Sequence, residues 1–151
     1  MPELEELYQE LVMEHYSRPK NFRKLPDSNR SAQGYNPFCG DAITLYLKFE
    51  DNVVADTGFQ GSGCAISRAA ASLMTESIKG RSEAEVQELF NAFHQMLTRA
   101  PGSDFDHEGL GDLEILAGVS EFPIRVKCAT LAWHTLRAAL EGREEAISTE
   151  E

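Results

Sequence analysis

Apolar side chains recur along this chain with two different periods, and the places where the period changes mark its elements. From Leu4 to about Tyr16, Leu4, Leu7, Tyr8, Leu11 and His15 fall on one face at helical spacing. Pro2 suits a first helical turn, and Pro19 stops the chain from continuing as helix. Between Asp41 and Glu50 the period drops to two: Ile43, Leu45, Leu47 and Phe49 share one face, and Thr44, Tyr46 and Lys48 take the other. That is the pattern of a half-buried strand. Glu50-Asp51-Asn52 reads as a hairpin turn and Val53 to Gln60 as the returning strand, with Ser31 to Tyr35 a candidate third. Gly61-Ser62-Gly63 reads as the end of the second strand.

The helical period then returns. Cys64 opens an Ala-rich segment to Lys79, with Ile66, Ala70, Leu73, Met74 and Ile78 as its stripe and Gly80 as its stop. Ser82 to about Leu97 is a further helix, with Ser82 and Glu85 spaced as a capping box and Val86, Leu89, Phe90, Phe93 and Leu97 on its apolar face. A loop from Ala100 to Gly111 leads to a short helix at Leu113 to Val119. A last helix follows from about Arg125 to Glu141, with Ala129, Ala132, Trp133, Leu136 and Leu140 as its stripe. The acidic residues 143–151 are expected to form a frayed tail. Strands come early and helices late. The expected fold is α+β: a small three-stranded antiparallel sheet with helices packed on one face, in a single domain over residues 1–151.

Charge narrows the choice of partner. The formal net charge is −11, which argues against nucleic acid and against anionic membrane surfaces and suits a basic protein partner. One segment runs the other way. Arg18, Lys20, Arg23, Lys24 and Arg30 cluster between Ser17 and Ser31, either as a contact for an acidic partner or as a solvated loop. No apolar run approaches the roughly 18 residues of a membrane span. The acidic amino terminus lacks the pattern of a signal peptide, so the expected compartment is the cytoplasm. Thiols stay reduced there, and Cys39, Cys64 and Cys128 are better read as ligands or reactive thiols than as a disulfide framework.

Cys39 and Asp41 flank Gly40, so one tight turn can aim a thiol and a carboxylate at the same point. Cys64 sits where strand gives way to helix beside two glycines, and Cys128 is expected in the first turn of the last helix. Helix amino termini stabilise thiolates. Convergence of Cys39, Asp41, Cys64 and Cys128 would make a sulfur-rich site suited to zinc or an iron–sulfur species, with the carboxylate keeping it labile. Spacing alone leaves the alternative open, because these cysteines lie much farther apart than in short zinc motifs and a lone buried cysteine often serves as a small hydrophobe. The histidines at 15, 94, 107 and 134 show no ligand pattern. Arg125 and Lys127 either balance the charge of the site or are an ordinary exposed pair on a helix.

Three segments carry a resemblance. Asn36-Pro-Phe-Cys-Gly-Asp41, Gly61-Ser-Gly-Cys-Ala-Ile-Ser67 and Arg125-Val-Lys-Cys-Ala-Thr-Leu-Ala-Trp133 resemble, in order, the three cysteine motifs of the IscU/SufU family of iron–sulfur cluster assembly proteins. The resemblance runs from the Tyr8 helix to Leu140. It implies that Cys39, Cys64 and Cys128, assisted by Asp41, hold zinc, iron or a nascent [2Fe-2S] cluster. It also implies a pyridoxal-phosphate cysteine desulfurase of SufS or IscS type as sulfur donor, and apo iron–sulfur proteins as recipients. Lys127 stands where the IscU branch carries a histidine, the segment Glu121 to Arg125 departs from that branch's chaperone-recognition sequence, and an insertion falls around Ser82 to Gly109. These are marks of the SufU branch, whose members resemble zinc-dependent sulfur acceptors more than true cluster scaffolds, so the resemblance implies a scaffold, a sulfur acceptor or both, and not a stand-alone enzyme. A ligand in a mobile turn leaves a metal more readily than one in a helix, so Cys39 is the expected sulfur acceptor, with Asp41, Cys64 and Cys128 holding the ion. The rivals are a structural zinc module that presents a binding surface, and a cysteine hydrolase with Cys64 as nucleophile.

Overall fold

The computed structural model describes residues 2–37, 40–100, 103–142 and 147–148, and within that set the side chains of residues 8 to 142. Helix α1 spans Pro2–Ser17, strands β1, β2 and β3 span Arg30–Asn36, Asp41–Glu50 and Val53–Ser62, and helix α2 spans Ala65–Ile78. Helix α3 spans Glu83–Thr98, a 3-10 helix spans Gly111–Glu121, helix α4 spans Pro123–Leu140, and the two-residue strand β4 spans Ile147–Ser148. The sheet order is β3-β2-β1-β4. The three long strands are antiparallel neighbours, and β4 runs parallel to β1 at Gly34 and Tyr35. The tail expected to fray thus places Ile147 and Ser148 on the sheet. The expected helix at Leu113 to Val119 is longer and of the tighter 3-10 kind.

The alternation in β2 does what its pattern implies. Leu45 and Leu47 are fully buried and Ile43 nearly so, while Thr44, Tyr46 and Lys48 stay partly exposed. The interior face meets α4, which packs on β1 and β2, and α2, which packs on β3. Trp133 of α4 is fully buried, stacked on Phe93 of α3 with Phe90 edge-on beside it. The capping box at Ser82 forms as spaced: Ser82 Oγ accepts from the Glu85 amide at 3.2 Å, and Glu85 Oε1 accepts from the Ser82 amide at 3.0 Å. Asp51 and Asn52 both take positive φ, the geometry of the tightest hairpin turn.

Two close approaches set the positions of the site elements. A Cβ on Gly34 of β1 would lie 2.1 Å from Thr135 Oγ1 of α4, so α4 crosses β1 at backbone contact. Strand β3 does not end at Gly61 but runs on to Ser62, opposite Ala42. Gly61 allows this, because a Cβ there would lie 2.0 Å from the Ala42 carbonyl oxygen. No helix among the described residues is long and apolar enough to cross a membrane.

Candidate metal centre

Register brings the carboxylate inside. Asp41 opens β2 with the same parity as Ile43, Leu45 and Leu47, and it faces Asn36, the last residue of β1. Both are fully buried at the end of the interior face. Gly40 sits just before Asp41 with φ +71°, in the turn that joins the strands. Cys39, the expected sulfur acceptor and fourth ligand, lies outside the described residues.

Cys64 is the N-cap of α2. Its backbone amide donates to Asp41 Oδ1 at 2.8 Å, and its Sγ accepts from the Ser67 amide at 3.5 Å and lies 3.9 Å from Asp41 Oδ2. The expected place at a helix terminus is found here, since the Cys64 sulfur receives an otherwise orphaned amide. Cys128 differs from expectation. Pro123 takes the first helical position, so α4 starts earlier than the apolar stripe suggests and Cys128 falls in its second turn. Its thiol is fully buried, 3.8 Å from the Ile124 carbonyl oxygen, which accepts from it. Burial at the crossing over β1, not the helix terminus, places this sulfur.

One ligand atom from each of Asp41, Cys64 and Cys128 lies within 4.8 Å of the others. Tetrahedral zinc with bonds of about 2.3 Å to sulfur and about 2.0 Å to oxygen holds its ligands about 3.5 to 3.8 Å apart, so a contraction of about 1 Å closes the set. The donors found on the carboxylate among the described residues are neutral: Asp41 accepts from the Cys64 amide and, at 3.3 Å, from Asn36 Nδ2. A buried carboxylate beside two thiols, held by neutral donors, fits a cation. Zinc or a small iron–sulfur species suits two sulfurs and an oxygen better than a hard cation would.

Asn36 is the residue that sequence reasoning passed over. Its amide donates to Asp41 Oδ2 and also to Cys128 Sγ at 3.5 Å, bridging strand and helix. It lay within the first cysteine motif, but nothing in its spacing announced that β1 ends beneath α4. Gly63 is a second such residue. A Cβ there would lie 2.5 Å from Asp41 Oδ1, so this glycine makes room for the carboxylate itself.

The histidines are occupied elsewhere. His15 Nδ1 pairs with Ser72 Oγ at 2.7 Å. His107 lies between Asp104 and Glu114, which raise its pKa above the ordinary histidine value. His94 and His134 pack around Phe90. Burial, with His94 and Arg137 beside it, lowers the pKa of His134.

Comparison with known proteins adds four findings. The family model described as the NifU-like N terminal domain matches residues 7–129. A curated relative from Bacillus subtilis, the zinc-dependent sulfurtransferase SufU, is 41% identical over 142 residues, covering 93% of this chain and 94% of its own. The iron–sulfur cluster assembly scaffold protein IscU of Thermotoga maritima is 43% identical over 136 residues, covering 89% of this chain and 93% of its own. Among solved structures, an iron–sulfur cluster assembly scaffold protein for the SUF system from Fervidobacterium islandicum superposes with a TM-score of 0.80 at 35% identity, over 87% of this chain and 94% of its own.

Proposed function

Because the chain belongs to the family of NifU-like amino-terminal domains, the iron–sulfur cluster assembly proteins of SufU and IscU type, we propose that it accepts sulfur from a cysteine desulfurase at Cys39. Cys39, Asp41, Cys64 and Cys128 form its metal site, and apo iron–sulfur proteins are the eventual recipients. The observation that carries this reading is the gathering of a buried carboxylate and two thiols from three separate elements into a cluster 4.8 Å across. Such a gathering costs burial of polar groups and does nothing for packing that apolar residues would not do better.

In the transfer step the Cys39 thiolate attacks the outer sulfur of the donor's cysteine persulfide. A sulfur–sulfur bond forms on Cys39, the donor's sulfur–sulfur bond breaks, and its electron pair leaves on the donor cysteine as thiolate, so no net oxidant is needed. Zinc, when bound, supplies deprotonation of the ligating thiols and protection from oxidation. Asn36 orients Asp41 and Cys128, and the Ser67 amide steadies the Cys64 sulfur. Cys64 caps α2 and Cys128 lies within α4, whereas Cys39 directly precedes Gly40, whose φ is +71°. That difference favours Cys39 as the ligand that departs to react.

The hydrolase alternative needs a base at Cys64, yet the described contacts of that sulfur are the Ser67 amide and the Asp41 carboxylate, and no histidine among the described residues pairs with it. Anaerobic reconstitution with iron, cysteine and desulfurase separates the remaining roles. Retained zinc with rapid persulfide uptake on Cys39 is the expected result. A stable visible-absorbing cluster instead makes the chain a scaffold. A Cys39 inert to both persulfide and alkylation leaves only a structural zinc module.

A further inference from the structure

The basic segment between α1 and β1 is not consumed by the fold. Arg23 pairs with Asp56 at 2.7 Å, and Arg30 donates to the Leu140 carbonyl oxygen. Arg18, Lys20 and Lys24 are exposed and have no ion pair among the described residues, in a chain whose net charge is −11. Elsewhere Lys48 is matched by Asp27 and Glu50, and Lys79 by Asp56, while Arg81 and Arg99 donate to backbone carbonyls. Two aromatic rings stand among the unmatched ones, Tyr16 at 36% and Phe22 at 38% exposure, with Met13 at 50% alongside. A fourth cation joins them from α2. The Arg68 guanidinium sits 4.5 Å from the Phe22 ring centre and 5.7 Å from that of Tyr16, and its buried Nε has no hydrogen-bond partner among the described residues.

The segment is firmly held. Ser72 Oγ accepts from the Lys20 amide at 2.8 Å and pairs with His15, and Asn21 Nδ2 donates to Thr75 Oγ1 at 3.1 Å. These ties lay residues 15–21 along α2. Arg68 lies one turn beyond Cys64, and its amide bonds the Cys64 carbonyl oxygen. That places the near edge of the patch about 6 Å along the helix from the metal centre.

We propose that Arg18, Lys20, Lys24 and Arg68, with Tyr16 and Phe22, form the docking surface for an acidic face on the sulfur-donating protein. The proposal rests on the sulfur-acceptor reading above. A partner bringing a persulfide to this end of the sheet must cover surface beside α2. At physiological ionic strength charges are felt over only about 8 Å, so a local basic patch governs the contact although the chain as a whole is acidic. Exposed aromatics and arginine are the residue types that anchor such contacts. Nucleic acid and anionic lipid are disfavoured by the same net charge, which repels a long polyanion or an extended anionic surface beyond the patch.

The test compares Lys20→Gln/Lys24→Gln with Gln87→Glu/Gln95→Glu on α3, a pair that makes the same change in net charge at exposed positions away from the patch. Steady-state sulfur transfer and direct calorimetric binding are both measured with the cell's own cysteine desulfurase. The patch variant should raise KM and Kd about fivefold with kcat unchanged. The deficit should vanish near 1 M salt, where screening reaches about 3 Å, and the α3 variant should match wild type. Equal KM and Kd in patch variant and wild type overturns the proposal, as does an equal loss in the α3 variant or no desulfurase binding by the wild type. So does a loss confined to binding of single-stranded DNA or of vesicles of anionic phospholipid. A wild type that binds the desulfurase but takes up no sulfur defeats the acceptor reading alone, and the calorimetric comparison still decides the docking surface.

Discussion

Gly63→Ala tests the geometry of the metal centre through a single methyl group. The added Cβ would lie 2.5 Å from Asp41 Oδ1 and 3.0 Å from Asp41 Cγ, closer than such atoms tolerate. Asp41 is fully buried and cannot swing into solvent, so its carboxylate must shift by several tenths of an ångström. The shift stretches the 2.8 Å bond from the Cys64 amide and the 3.3 Å bond from Asn36 Nδ2, which is long already. Losing one hydrogen bond to a buried charged group costs about 2 to 3 kcal/mol. Removing a glycine from the unfolded chain returns about 0.4 to 1 kcal/mol. The net expectation is a folding stability lower by about 1 to 2.6 kcal/mol, and, because the carboxylate is turned from its place, a zinc affinity lower by about tenfold. Gly118→Ala is the control, since nothing lies within 4 Å of a Cβ there and the same unfolded-state gain applies. Zinc affinity is read by competition with a chromophoric chelator, and apo-protein stability by urea unfolding. If Gly63→Ala binds zinc as tightly as Gly118→Ala and unfolds at the same urea concentration, Asp41 is not held as described here and the centre must be rebuilt around other donors.

Asn36→Ala removes the amide that bridges Asp41 and Cys128, so zinc affinity should fall about tenfold while the far-ultraviolet spectrum is unchanged; an unaltered affinity would show that the bridge is dispensable. Asp41→Ala should bind zinc more weakly than wild type, having lost a ligand, yet a cluster assembled on it should leave more slowly, because the oxygen ligand that keeps the cluster labile is gone; equal cluster release rates in a transfer assay to an apo-ferredoxin would count against this. For His134, burial and the neighbouring His94 and Arg137 lower the folded-state pKa, so the unfolded chain takes up this proton first as pH falls. Its contribution to stability is therefore present above the unfolded value near 6.5 and is lost as pH drops through it. Urea midpoints measured at about pH 7.5 and about pH 5.5 should fall less in His134→Gln than in wild type, and an identical fall in both would refute the assignment.

Most of the architecture was readable because single-residue patterns carry it. The period-two run of β2, the Ser82 and Glu85 box and the stripe on α4 each name an element without reference to the rest of the chain. Boundaries were less readable where a second strand or helix decides them. Gly61 looked like a strand breaker, yet its missing side chain is what lets β3 press against Ala42 and continue. Pro123 starts α4 early and so moves Cys128 from the first turn to the second, which a stripe beginning at Ala129 does not reveal.

The site follows the same division. Cys64 was placed correctly because a residue between a glycine-rich strand end and an Ala-rich run can only be a helix cap. Asp41 offered a signal that went unused, since it shares the parity of Ile43, Leu45 and Leu47 and so belongs to the buried face. The role of Asn36 has no such signal, for it depends on the pairing of Asn36 with Asp41 and on α4 crossing β1 at Gly34 and Thr135. That crossing is the step on which the chemistry depends. A bulkier residue at Gly34 would lift α4 from β1, carry Cys128 away from Asn36 and Asp41, and open the cluster without touching any ligand. Packing between sheet and helix, and not the ligands alone, holds two sulfurs and an oxygen within about 1 Å of the spacing an ion requires.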